Sequence, residues 1–210
     1  YEKGVPSHWK LMQQWFNVAY NLQDNNKYQL NIALNYSGNN IPIARYKGVL
    51  VNRLNEEDYV DMLDETKSHY HNPSLDIYYQ RNLKKEQTLI FNVVGTYNKS
   101  FSDRLYVESK GNDKRTDIQN IVYGNKYSII GEGIYEKKLA NGKRIGAGIR
   151  HTQSFSNNDY INGHNYNTKM QQGSTYVYSE FRGKMNKLDY ILGIGGTRSF
   201  YRQEGSTDTY

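Results

Sequence analysis

Histidines and closely spaced carboxylates are the residues of this sequence with the chemistry to make a site. His69 and His71 stand in the triplet His-Tyr-His and share a face if the chain is extended there. Two imidazoles can begin a metal centre, but no neighbouring Asp, Glu or Cys completes one, so they read as solvated residues. Glu132 and Glu136 share a parity, four apart, which on a strand separates them by ~14 Å. That is far for paired acid–base work, and the expectation is lumen charge balanced by Arg144 and Arg150 on the following strand. His151, Ser154 and Asp159 hold the residue types of a nucleophile and its base. In an extended strand His151 and Ser154 fall on opposite faces, and no strained turn presents the serine. Gly131, Gly133, Gly146, Gly148, Gly193, Gly195 and Gly196 sit in strand-like contexts rather than in a strand-turn-helix phosphate loop. The chain has no cysteine, which removes disulfides and thiolate metal sites. No enzymatic activity, cofactor or metal is expected.

The composition narrows the class. The chain has 210 residues, net charge +6 and mean hydropathy −0.89. Hydrophobic residues are 37%, with 21 tyrosines and 3 prolines, a thin apolar supply for a compact core. It suits a protein whose apolar surface is one strip of alternate residues, oily side out and polar side in. Basic residues interleave with acidic ones, so nucleic acid is not an expected partner. No apolar run reaches the ~20 residues of a membrane helix. The first residue is Tyr1 rather than Met, and the chain is expected to be a piece of a longer or processed protein.

The elements that would position these residues are strands. KYQLNIALNYSG (27–38) puts Leu30, Ile32, Leu34 and Tyr36 on one parity, and Asn31 and Asn35 on the other. Similar alternation runs through 15–22, 74–83, 88–101, 144–155, 174–183 and 188–201, and a weaker one through 126–139. Short turns are predicted at 23–27, 84–87, 140–142 and 184–187, the third an Asn-Gly hairpin. Long loops are predicted at 39–72, 102–124 with a tip at 111–114, and 156–172. Within the first, residues 55–65 could form a short helix, and Asn72-Pro73 would end it. Four hairpins with short turns and long connections point to an all-β, antiparallel up-and-down transmembrane barrel segment. Leu30, Ile32, Leu34, Leu75, Ile77, Leu89, Phe91 and Val93 would face lipid. Asn31, Asn35, Glu132, Arg144, Arg150, Glu180 and Arg182 would face the lumen. Tyr97, Phe101, Tyr127 and Tyr135 could belong to aromatic girdles. Tyr46, Tyr59, Tyr70, Tyr160 and Tyr166 fall in the predicted loops and are candidates for gripping an extracellular ligand of unknown identity.

Two hairpin phrases, D-I-Y-Y-Q-R-N-L-K-K-E-Q-T-L (76–89) and Y-S-E-F-R-G-K-M-N-K-L-D-Y (178–190), resemble the barrel region of the TonB-dependent-receptor-like outer-membrane proteins of Bacteroidetes. The resemblance implies a Gram-negative outer membrane, a barrel of about 22 strands, and a plug domain and TonB-type energy-coupling partner encoded outside this segment. Two other architectures fit the strands. A self-contained eight-stranded barrel for adhesion would pair residues 1–22 with 188–201, and a soluble glycan-binding module would pack the oily parities together.

Overall fold

The computed structural model describes residues 2–24, 27–52, 54, 58–185 and 188–208. Asn25 and Asn26 of the first turn, Asn55 to Glu57 of the predicted helix, Asn186 and Lys187 of the last turn, and Tyr210 lie outside the described residues.

The chain folds as one antiparallel up-and-down sheet of eight strands in sequence order. They are β1 (Glu2–Asp24), β2 (Tyr28–Val51), β3 (Tyr59–Leu83), β4 (Gln87–Lys110), β5 (Asp113–Lys138), β6 (Arg144–Asn162), β7 (His164–Met185) and β8 (Leu188–Asp208). The sheet is open, because β1 and β8 are its two ends and are not hydrogen bonded to each other. The pairing of residues 1–22 with 188–201 expected of a closed eight-stranded barrel is therefore not present.

The predicted long loops are corrected to strand. The strands run 19 to 26 residues and continue straight through 39–51, 59–72, 102–110, 113–124 and 156–172 apart from the turn at Gly163. The far connections are as tight as the near ones in two hairpins, Gly111-Asn112 and Gly163. Gly111 has φ 60° and Gly163 φ 67°, the left-handed conformation that glycine enters without steric cost. The predicted helix is corrected too, since Tyr59 onward belongs to β3. Apolar alternation hid these arms because both of their faces carry polar groups. Cross-strand charge takes its place: Arg45 pairs with Glu65 at 2.6 Å, Arg104 with Asp64 at 2.6 Å, and Lys110 with Asp58 at 2.7 Å.

Pro73 sits inside β3 rather than ending a loop. It lacks an amide donor, and the β3–β4 register skips from His71↔Lys99 to Ser74↔Thr96 around it. The near turns at 84–86 and 140–142, which lie wholly within the described residues, follow expectation. Asn141 and Gly142 have φ 61° and 73°, and the Leu139 amide donates to the Lys143 carbonyl at 2.8 Å. Lys85 and Glu86 take φ 59° and 55° in the second near turn, a strained choice for residues with a Cβ.

Directly paired residues share a face. One row crosses the whole sheet: Tyr20, Ile32, Ile77, Val93, Gly131, His151, Thr175, Arg198. Its face is the apolar one over β1–β4. Counted from this row, β1 ends four residues on at Asp24, β3 six on at Leu83, β5 seven on at Lys138, and β7 ten on at Met185. The turns thus slide about one residue per strand. The apolar residues slide with them, from Val18 and Tyr20 on β1 to Leu192 and Ile194 on β8, nearer the turns than Arg198. A slip of ~3.3 Å per ~4.8 Å strand spacing corresponds to a tilt of roughly 35° between the strands and the normal to the line of turns.

Candidate functional site

The apolar face is built by every strand and covered by none of them. Leu30, Ile32, Leu34, Leu75, Ile77, Leu89, Phe91 and Val93 all lie on it by register. Val18, Tyr20, Ile129, Ile149, Val177, Leu192 and Ile194 extend it to both edges. Ile194 is 79% exposed, Leu192 65% and Phe91 49%. Apart from glycines, the only buried residues among those described are Met62, Ser154 and Thr168, and all three belong to the opposite, polar face. An exposed apolar band of this kind marks a surface for another protein or for a membrane.

Asn31, Asn35, Glu132, Arg144, Arg150, Glu180 and Arg182 share the polar face. Amides bridge the first strands, with Asn31 Nδ2 donating to Asn21 Oδ1 at 2.7 Å and Asn17 donating to Asn35. Glu132 stands opposite Arg150, and Glu180 binds Arg182 at 2.5 Å. Arg144 stands opposite Lys138 and Arg182, with Glu136 and Glu180 two residues along on the same face. Glycine makes room for rings on this face: a Cβ at Gly148 would lie 2.4 Å from the Tyr178 ring, so the ring occupies the space that a side chain would take.

The five candidate tyrosines are on strands, not loops, and four of them turn to the polar face. Tyr160 and Tyr166 are direct partners beside the Gly163 turn, ring centroids 6.2 Å apart. Tyr46 shares a groove of about 610 Å³ with Trp9 and Asp64. Tyr70 stands opposite Asn39 and Ser100, apart from both groups. Tyr59 lies on the other face at the start of β3 and is 48% exposed.

The groove contains residues that pattern reading passed over. Trp9 is 67% exposed on the polar face of edge strand β1. Asp64 accepts two bonds from Arg104, 2.6 Å from Nη2 and 3.1 Å from Nε, which fixes its carboxylate plane. This partnership holds the Arg104 guanidinium above its already high pKa. On the other side of β3, Arg45 donates to Glu65 from both Nε and Nη2 and holds that carboxyl below its usual pKa. The signal was available in the sequence: Arg45 and Glu65 are equidistant from residue 55, as a hairpin requires. An aromatic plane beside a fixed carboxylate can stack on a flat or ringed ligand and orient its donors.

The other sequence candidates separate. His69 and His71 share the apolar face beyond the band. Tyr36 Oη lies 2.6 Å from His71 Nδ1, and His69 stacks on Phe101 with centroids 5.0 Å apart. Among the described residues no group of three or more His, Asp or Glu is placed to hold a metal ion. His151 Nδ1 meets Thr175 Oγ1 at 2.8 Å, Ser154 is buried on the opposite face, and Asp159 accepts from Asn167, so they form no relay.

No protein-family model matches the chain, and no curated protein matches it in sequence. The likeness of the hairpin phrases to TonB-dependent-receptor-like barrels thus has the sequence alone behind it.

Proposed function

We propose that the chain is a stretch of the wall of an outer-membrane β-barrel in a Gram-negative bacterium, of the TonB-dependent-receptor-like kind, which captures an extracellular ligand for uptake. The observation that carries this reading is the uncovered apolar band, which crosses all eight strands and keeps step with the line of turns. Such a band stays parallel to a membrane plane while the strands tilt, as barrel strands do. On β2 the band lies between Tyr28 and Tyr36, and on β5 between Tyr127 and Tyr135. Eight residues on a strand tilted by about 35° rise ~22 Å, close to the height of the apolar belt of membrane barrels. Lipid covers the apolar face, and the polar face lines the interior. The open edges at β1 and β8 are completed by further strands, and the gating plug and its TonB-type partner are supplied from outside this segment.

The arms beyond the band replace loops as the capturing surface. Trp9, Tyr46 and Asp64 offer the interior a ring-stacking groove, with Tyr160 and Tyr166 at the rim several strands away.

The test is the intact mass of the native protein in isolated membranes, detected with antibody to this segment. A species several times 24.5 kDa in the outer membrane is expected. A species near 24.5 kDa there would replace the transporter reading with a small closed barrel, and recovery in the soluble fraction would overturn the membrane reading.

A further inference from the structure

Two grooves on the apolar face join into one amphipathic cleft. The lower, about 420 Å³, is walled by Leu34, Leu75, Gly95 and Ile129. The upper, about 430 Å³, is walled by Asn125, Asn157, Lys169 and Arg202. Tyr127 and Phe155 belong to both and form the waist between them. The lower groove is open because Gly95 contributes no side chain: a Cβ built there meets nothing within 4 Å. Its outer margin continues into the aromatic row of Tyr36, Tyr97, Tyr127 and Phe155, so the upper groove begins where the apolar band ends.

The polar atoms of the upper groove are arranged as donors. The Tyr97 hydroxyl donates to Asn125 Oδ1 at 3.2 Å, and Asn167 Nδ2 donates to Asn157 Oδ1 at 2.8 Å. Each of these amides has its oxygen occupied and its Nδ2 left to donate. Lys169 and Arg202 add two cations against one carboxylate, Glu204, which binds Arg202 at 2.5 Å. Lys169 stands opposite Glu204 across the ladder without closing an ion pair with it. Lys99 stands in the same row, next to Asn125, and is exposed. Donors and cations above an apolar groove match a phosphate headgroup with its acyl chain.

We infer that this cleft binds an anionic membrane phospholipid, its phosphate held by Lys169, Arg202, Asn125 and Asn157 and one acyl chain lying over Gly95. The inference rests on the reading that the apolar face meets the membrane. The site fixes the height of the wall in the leaflet and takes a lipid distinct from the bulk that wets the rest of the band.

The full native protein, extracted in neutral detergent, is offered phosphatidylglycerol, phosphatidylcholine or inorganic phosphate, and retention is read by native mass spectrometry. Phosphatidylglycerol is expected to be held, with Lys169→Gln plus Arg202→Gln weakening it about tenfold or more, as loss of charge-assisted bonds does. Gly95→Phe, which fills the lower groove and leaves every charge in place, is expected to weaken it comparably. Lys169→Gln alone changes one exposed side chain and keeps the test open if the double variant folds poorly. Equal retention of phosphatidylcholine, or retention unchanged in Lys169→Gln and Gly95→Phe, overturns the proposal. Full competition by inorganic phosphate also overturns it, because the site would then be one for the free anion. A nitroxide at Ile32 in proteoliposomes separates the two readings. If lipid does not reach the label, the membrane reading fails. If lipid reaches the label and retention is unchanged in the variants, only the lipid site fails.

Discussion

Glu65 shows how a single side chain ties the outer arms together. Arg45 donates to it from two nitrogens, and Lys67 adds a contact at 3.2 Å. The hydrogen bonds from Arg45, foremost, lower its pKa from an ordinary 4.5. A lowered folded pKa gives stability that is complete above the ordinary value and is lost as pH falls through the folded one. The protection factors of the amides of residues 44–46 and 64–66, exchange rates taken relative to the unfolded chain at the same pH, are therefore expected to be high at neutral pH and to fall below about pH 4.5, with Glu65→Gln removing the acid-side change. The glycines divide at the same scale. Gly148→Ala drives a methyl into the Tyr178 ring, with an expected cost of about 1–3 kcal/mol by urea unfolding in micelles. Gly131→Ala meets nothing within 4 Å and is expected to stabilise by about 0.5 kcal/mol, through the unfolded chain. The parities of Leu30 against Asn31 and of Phe91 against Asn92 were legible in the sequence, because one face of each pair is uniformly apolar. Trp9 and Asp64 were not, because apolar and polar residues stand on both faces around them, as in Met62-Leu63-Asp64-Glu65, and hydropathy gives such a stretch no period-two phase.

Among the elements, the near turns and the Gly111-Asn112 tip were legible, and the long outer arms were not. Asn141-Gly142 announces a left-handed pair by composition, whereas Lys85-Glu86 adopts one against its preference. Lys85→Asn with Glu86→Gly is expected to raise stability by about 1 kcal/mol in the same urea titration, since both new residues enter positive φ more readily. The arms at 39–51 and 102–124 were misread as loops for a physical reason. A strand with polar groups on both faces shows no clean alternation of hydropathy, and pairs such as Arg104–Asp64 help to carry its register instead. Pro73 was misread because a proline interior to a sheet is rare. Here the β3–β4 ladder is interrupted around it while β3 continues to pair with β2 through Tyr36↔Pro73.

At the scale of the whole molecule, the face assignment makes a contrast that can be measured. Ile77 and Asp76 are neighbours on opposite faces of β3. Ile77→Lys is expected to cost about 2–4 kcal/mol in lipid, the depth-dependent toll of a cation near mid-membrane, whereas Asp76→Lys is expected to cost about 1 kcal/mol or less. Equal costs would mean that the apolar face does not meet hydrocarbon. The slide of the turns, which averages about one residue per strand from Asp24 to Met185, also has an ancestral consequence. Loss or gain of a single residue inside a strand exchanges its two faces. Loss or gain of a complete hairpin moves the band and the turns by the same amount, so the remaining wall keeps its level. The hairpin is thus the heritable unit in which such a wall can lengthen or shorten, and kindred chains are expected to differ in strand number by twos.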